Sequence, residues 1–439
     1  MHNHKAPYAI IAKPIGPICN LDCKYCYYLE KQQLFQRNTS FRMSNEVLES
    51  FIRQYIASQD FSEVVFSWQG GEPTLLGVNF FRKVVELQKR YANGKKMSNA
   101  LQTNGVLLDD RWCEFLAENR FLVGLSIDGP RGLHDCFRVD KHQRPTFDSV
   151  MKGVEFLEKH NTQFNTLTVV NDINSRQPLK VYRFLKELGE GFMQFIPLVE
   201  RKPGKEAKEL GLDLSMPPVQ SEKDNESSVT EWSVKPGQFG EFYIQIFDEW
   251  VRCDVGKGFV QFFDVALGNW MGLGSGLCQF APTCGHASVL EHNGDLYSCD
   301  HYVYPQCKLG NILERPLYEL MDSNLQLQFG RNKLDLLPQD CISCEVRFAC
   351  NGECPKHRFL RTYSGEPGLS YLCSAYKRIF GHMDPYMQVI ARIVSSGNEA
   401  SLIMDYVADE DRQKRFKTAK RNEPCPCGSG KKFKNCCGP

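Results

Sequence analysis

Between residue 7 and about residue 200 the chain alternates short β-type runs with amphipathic helical patterns, and few architectures satisfy that alternation. "YAIIAKP", "SEVVFSWQ", "MSNALQTN", "FLVGLSID", "FNTLTVV" and "GFMQFIP" are rich in β-branched and aromatic residues and read as six strands. Between them lie "SNEVLESFIRQYIASQ", with Ser44 placed to cap its first turn, "NFFRKVVELQKRYA", "DRWCEFLAENR", "FDSVMKGVEFLEKH" and "LKVYRFLKELGE". Near-continuous apolar strands separated by helices imply a parallel sheet, open or curled into a barrel. Residues 201–236 are polar, Pro-containing and aperiodic, which predicts a mobile loop or insertion. A helix is expected over about 237–253. The next hundred residues have few periodic runs and many cysteines, the pattern of a small metal-organised domain. A helical stretch from about 373 to 397 precedes an acidic, then basic, segment at 409–421, and no internal repeat is present.

Of nineteen cysteines, all but Cys113, Cys136 and Cys253 fall in three neighbourhoods. A net charge of +1 creates no global field for nucleic acid or membrane. No run approaches the ~18 apolar residues of a membrane span, and the start lacks a signal-peptide pattern. A cytosolic protein is expected, and in that reducing compartment cysteines are more often metal ligands than disulfides.

The first group is Cys19-x3-Cys23-x2-Cys26. Zinc usually takes four protein ligands, and this loop offers no obvious fourth. Three thiolates on a [4Fe–4S] cluster leave one iron open to bind a substrate or cofactor directly. The second group reads Cys278-x5-Cys284-x14-Cys299, Cys341-x2-Cys344-x5-Cys350-x3-Cys354, then Cys373. Eight thiols suit two four-thiolate clusters, with two zinc-ribbon-like sites as the alternative. Cys307 is read as an ordinary thiol. The third group, "PCPCGSGKKFKNCCGP", places Cys425, Cys427, Cys436 and Cys437 around a Gly-rich turn, as in a structural zinc knuckle, the alternative being a disordered thiol-rich tail.

The triplet, with Tyr25 before its last cysteine, resembles the signature of the radical S-adenosylmethionine (SAM) superfamily. The resemblance implies a partial (β/α)6 TIM-like barrel, an α/β fold, with SAM chelated to the open iron and split to release a 5′-deoxyadenosyl radical. It implies SAM contacts at strand ends: Gly70, Gly71 and Glu72 of "QGGEP", Ser126 of "SIDGP", and Arg138. The second array resembles the SPASM domain, and its order of spacings is similar to that of the anaerobic sulfatase-maturating enzymes. By that resemblance Cys278, Cys284, Cys299 and Cys354 hold the nearer auxiliary cluster, while Cys341, Cys344, Cys350 and Cys373 hold the farther one. With all positions filled, these clusters are expected to carry electrons. The same resemblance implies that Asp300, in "YSCDHY", is the general base, and that Tyr28 and Gln69 lie near the substrate. A carboxylate beside a cluster is otherwise most often a solvated surface group. His301 is expected to be structural. The last sixteen residues resemble the SEC-C motif, which implies zinc.

Together these expectations describe an oxidoreductase that converts a Cys or Ser of a sulfatase polypeptide to Cα-formylglycine, using three [4Fe–4S] clusters, SAM and zinc. A flavodoxin or ferredoxin would serve as electron donor, and translation or export machinery is a further expected partner through the tail. The rivals are another SPASM-type radical SAM enzyme forming thioether or carbon–carbon crosslinks, and a non-catalytic iron–sulfur carrier. Asp300 and the lack of an evident precursor-recognition domain favour the maturase. The expected organisation is a barrel with its polar insertion over 1–236, a helical connection over 237–277, the SPASM domain over 278–385, a helical and basic linker over 386–420, and the SEC-C motif over 421–439.

Overall fold

The computed structural model describes residues 8–36, 39–218 and 228–438. Six strands, β1 (Ala9–Lys13), β2 (Glu63–Trp68), β3 (Lys96–Thr103), β4 (Phe121–Ser126), β5 (Phe164–Val170) and β6 (Phe192–Pro197), pair in chain order and all in parallel. Each is followed by a helix: Asn45–Ser58, Val78–Tyr91, Asp110–Glu118, Phe147–Lys159, Pro178–Lys186 and Pro236–Cys253. This is the expected partial (β/α)6 barrel. The helices start where the sequence supplies caps. The Ser44 side chain accepts from the Val47 N–H, Asp109 from that of Trp112, and Pro178 and Pro236 occupy first-turn positions that need no donor.

The two-residue period of the strands sorts their side chains. Ile10 and Ala12, Val64, Phe66 and Trp68, and Val123 and Leu125 are buried in the core. The alternate positions are not uniformly apolar-buried, contrary to the sequence expectation: Val65, Leu122 and Phe192 are exposed. That second face belongs to the open side of an incomplete barrel. Toward the strand ends it carries Lys13, Gln69, Gln102, Ser126, Val169 and Ile196, which line one cavity.

The sheet does not stop at six strands. β7 (Phe259–Val260) adds in parallel to β6. On the other edge β8 (Ala287–Glu291) pairs in parallel with β1, with Lys13 opposite Glu291, and β9 (Asp295–Tyr297) and β10 (Lys308–Asn311) continue antiparallel. The cysteine-rich region thus extends the barrel's own sheet to ten strands, in the order β10-β9-β8-β1-β2-β3-β4-β5-β6-β7. The Cys373–Ser395 helix packs along Pro236–Cys253, with the Phe239 and Tyr376 rings 5.5 Å apart. The Ile403–Thr418 helix is tied to the same element by Arg252 Nε on Asp411 Oδ2 at 2.9 Å. No helix among the described residues is long and apolar enough to cross a membrane.

Much of the stretch 201–236, expected as a mobile loop or insertion, is packed against the rest of the chain. Residues 205–209 are helical, Ala207 and Leu212 bury themselves against Tyr304, and Val234 is fully buried. Glu30 Oε2 accepts from the Asp213 and Leu214 N–H groups at 2.8 and 3.1 Å. A few apolar anchors and one carboxylate suffice to hold a stretch with no helical or strand period. Residues 219–227 of that stretch lie outside the described residues.

Candidate active site

At the C-terminal ends of the parallel strands lies a cavity of about 220 Å³. Cys19, Cys23, Cys26, Tyr25, Tyr28, Gln69, Gly70, Gly71, Ser126 and Arg138 all line it. The structure therefore brings together the triplet and nearly every residue expected beside it.

The cysteine loop is held from several sides. The Leu21 N–H points at Cys19 Sγ at 3.3 Å, and the Asn104 amide donates to Asn20 Oδ1 at 2.8 Å with Cys19 Sγ 3.7 Å away. Burial pushes the Cys19 and Cys23 thiols up to about 12, so a bound cation is needed for them to ionise. Zinc–sulfur bonds of ~2.3 Å in a tetrahedron put sulfurs about 3.8 Å apart. Among the described residues only Cys425, Cys427, Cys436 and Cys437 bring their ligand atoms within 4.8 Å of one another. The triplet does not form so tight a group.

"QGGEP" serves this loop first. The Gly71 N–H donates to the Gly16 carbonyl at 2.7 Å and the Glu72 N–H to that of Ile18 at 2.9 Å. A Cβ on Gly71 would sit 1.9 Å from the Ile18 carbonyl oxygen, so glycine is demanded by the approach of the chain entering Cys19. Gly71→Ala is expected to displace that chain, destabilise the fold by about 1–3 kcal/mol as overpacking does, and lower the iron bound per chain. Thermal unfolding and iron analysis check this; an unchanged iron content would show that the loop adapts.

Glu72, expected among the SAM contacts, is not one of the lining residues. It is buried outside the cavity wall, its pKa raised by burial, and both oxygens are used within the protein. Oε1 accepts from the Thr74 N–H and hydroxyl and the Thr103 hydroxyl, and Oε2 from the Asn104 N–H at 2.7 Å. It staples the ends of β2 and β3 and sets Asn104 over the Cys19 loop. Arg138 and Tyr25 share an anchor that sequence reasoning passed over within "SIDGP". Fully buried Asp128 accepts from the Tyr25 hydroxyl at 2.5 Å and pairs with Arg138 Nε at 3.0 Å.

Asp300 follows Cys299 just past β9. It is not itself a lining residue, and 17% of its side chain is exposed. Two cavity residues hold it: Lys13 Nζ lies 2.5 Å from Oδ1, and the Tyr27 hydroxyl donates to Oδ2 at 2.7 Å. Burial works against its charge, but Lys13, His301 and the Tyr27 hydroxyl together outweigh it and hold the carboxyl down at about 2. A carboxylate offers about four lone-pair sites; two are taken, so a further proton donor can still be received. Tyr28 lines the cavity with its ring, its hydroxyl being committed to Glu291 Oε1 at 2.6 Å. His301, expected to be structural, lines the cavity too, its ring 5.4 Å from that of Tyr27, and burial lowers its pKa to about 3. Lys356, also lining the cavity, pairs with Glu200 at 2.5 Å and sits 4.8 Å over the Tyr27 ring. Lys13, Tyr27, Asp128, Glu200, Glu291 and Lys356 were not singled out from sequence. Only Lys13 and Asp128 carried a signal, each standing at the end of a strand.

The eight later cysteines fall into two sets. Cys341, Cys344, Cys350 and Cys373 line one cavity of about 330 Å³. Cys278 and Cys284 are electrostatic neighbours of Cys354, and Cys278 and Cys354 of Cys299. Lys333 donates to the Cys278 and Gln279 carbonyls at 2.6 and 2.8 Å, which fixes the first loop. Cys307 stays outside both sets, its thiol pushed up to about 11 by burial. In the tail, Cys427 and Cys436 Sγ are 3.4 Å apart and Cys436 and Cys437 3.8 Å, which fits one tetrahedral ion.

Comparison with known proteins agrees with this layout. Residues 14–185 match the Radical SAM superfamily, 278–345 an iron–sulfur cluster-binding domain (SPASM), and 421–439 the SEC-C motif. The chain is 46% identical over 407 residues to a serine-type anaerobic sulfatase-maturating enzyme of Bacteroides thetaiotaomicron, covering 92% of this chain and 96% of that one. It is 32% identical to a cysteine-type anaerobic sulfatase-maturating enzyme of Clostridium perfringens, over 88% of this chain and 98% of that one. Among solved structures it resembles native anSMEcpe with bound AdoMet and Cp18Cys peptide, with a TM-score of 0.75 and 32% identity, over 89% of this chain and all of that one.

Proposed function

The chain belongs to the anaerobic sulfatase-maturating enzymes of the radical SAM superfamily, and from that footing we propose that it oxidises a seryl or cysteinyl side chain of a sulfatase polypeptide to Cα-formylglycine, with serine preferred. The observation that carries the reading is one strand-end cavity lined by the three thiols Cys19, Cys23 and Cys26, whose wall residues Lys13 and Tyr27 hold both oxygens of Asp300. The serine preference rests on 46% identity to a serine-type relative against 32% to a cysteine-type one.

Iron–sulfur clusters, three by the count of thiols, and SAM would supply hydrogen-atom abstraction and a sink for the surplus electron. The protein supplies the rest. Cys19, Cys23 and Cys26 would hold the first cluster, and Gly70, Gly71, Ser126, Tyr25 and Arg138 the SAM beside it. Glu72 acts behind them, through Asn104. Taking an alcohol to an aldehyde removes one hydrogen atom, one proton and one electron; a thiol loses the same three to give a thioaldehyde, which water hydrolyses to the aldehyde with release of hydrogen sulfide. Asp300 receives the proton, directly or through one water. Gln69 and the Tyr28 ring confine the side chain being oxidised. A small electron-transfer protein such as a flavodoxin or ferredoxin is the expected donor, and a reducing cytosol the expected setting for so many thiols.

Anaerobic incubation with SAM and with matched Ser- and Cys-containing sulfatase peptides tests this by mass spectrometry. Loss of two hydrogens from the serine peptide is expected. SAM cleavage with neither peptide altered would refute the assignment.

Cys425, Cys427, Cys436 and Cys437 are read as a zinc site that, with the basic residues Arg412 to Arg421, docks the enzyme near translation or export machinery. Deleting residues 411–439 should remove one zinc per chain, leave turnover of a short peptide within about twofold, and lower sulfatase maturation in cells severalfold, since the tail only raises the effective concentration of substrate. Unchanged maturation in cells would remove this role.

A further inference from the structure

Asp300 is held at a place where two parts of the chain meet, and the residue holding it comes from the other part. Lys13 is the last residue of β1, is 2% exposed, and has Asp300 as its ion partner. Its Nζ also lies 3.8 Å from the centroid of the Tyr28 ring. Tyr28 in turn is fixed through its hydroxyl to Glu291, which faces Lys13 across the β1–β8 pairing. Lys13 is thus immobilised by its strand below and an anchored ring beside it. Burying an ammonium is costly without a paired anion, so this position demands a function beyond packing.

Resting on the reading of Asp300 as the base, we propose that Lys13 is a positioning residue for the oxidation, with Tyr27 as its counterpart. Lys13 fixes Oδ1, Tyr27 fixes Oδ2, and the plane of the carboxylate is determined by the two contacts together. A carboxylate on a short side chain rotates freely about its last torsion unless both oxygens are engaged. Engaging both from residues of the cavity wall aims the remaining lone pairs without a contact to substrate from either holder's own chemistry. The barrel, which carries the cysteine triplet, thereby dictates the pose of a base supplied by the cysteine-rich region. Misplacement of a reacting group by about 1 Å can cost 10²-fold in rate.

The test uses the full-length holoenzyme and a serine peptide, reading formylglycine and 5′-deoxyadenosine in the same reaction and peptide affinity by fluorescence anisotropy. In Lys13→Met, formylglycine formed per 5′-deoxyadenosine released is expected to fall about 10- to 100-fold. Iron content, SAM cleavage and peptide affinity are expected to fall far less than this ratio, by no more than about threefold, because no side-chain hydrogen bond of the cysteine loop is made by Lys13. Tyr27→Phe is expected to lower the same ratio to a smaller extent. A ratio equal to that of the wild type overturns the proposal, and so does a parallel loss of iron, cleavage and product, which marks a purely structural lysine. If the neutral variant does not assemble, Lys13→Arg keeps the buried charge but moves the donor; a drop of threefold or more in the ratio is then expected, and an unchanged ratio overturns the proposal. Failure of the wild-type enzyme to oxidise any sulfatase peptide would instead sink the reading of Asp300, and is separately visible.

Discussion

Replacing Cys19, Cys23 and Cys26 together with alanine is expected to abolish both SAM cleavage and formylglycine formation, a loss of at least about 10⁴-fold, because the whole catalysed reaction depends on the group they hold. The eight thiols from Cys278 to Cys373 lie in other loops, so iron should fall by roughly one cluster's worth and no further. The fold should survive. The triplet sits in a loop whose course is set by the Leu21 bridge to Asp140, by the bonds of Gly71 and Glu72 to Gly16 and Ile18, and by Asn104 on Asn20. None of those contacts uses a thiol. Iron and sulfide analysis, spectroscopy of the reduced protein and quantitation of 5′-deoxyadenosine check the result together. Residual SAM cleavage with the triplet gone would mean that one of the later clusters binds SAM, which eight filled thiol positions argue against.

Asp300→Asn carries the second large effect. Removing a general base typically costs 10²–10⁴-fold, and product should fall within that range while SAM cleavage stays within severalfold. The asparagine can still accept from the Tyr27 hydroxyl, but it no longer neutralises Lys13. Breaking a buried pair by removing one partner costs about 3–5 kcal/mol, so a lower melting temperature should accompany the loss of product. The two effects separate by rescue. Lys13→Met in the Asp300→Asn background should recover stability, since both charges are then gone, and should recover no activity. Recovery of activity in that double variant would show that Asp300 mattered only as a counter-ion.

How far the sequence went toward this site follows from what a pattern can encode. The six parallel strands and their helices were legible because each is a local period with caps, as Ser44 on Val47 and Asp109 on Trp112 bear out. The triplet was legible from its spacing, and "QGGEP", Ser126 and Arg138 from the radical SAM resemblance that the triplet carries. The pairing of β8 with β1 was not, since β8 has five residues and its partner lies almost three hundred positions away. Lys13 and Tyr27 escaped for the same reason: a single lysine ending a strand and one more tyrosine acquire meaning only when Asp300 is folded between them. For Glu72 the motif was visible, but not the four donors from Thr74, Thr103 and Asn104 that fix its carboxylate.

The ladder between Ala9–Lys13 and Ala287–Glu291 has a consequence for how such an enzyme can vary. A joint made of main-chain bonds tolerates almost any exchange of side chains, yet forbids sliding by a single residue, because a slip would turn Lys13 away from Asp300 and Glu291 away from Tyr28 at once. Descendants of this protein can therefore alter the cavity wall while the placement of Asp300 relative to the Cys19–Cys26 loop stays fixed by the main chain.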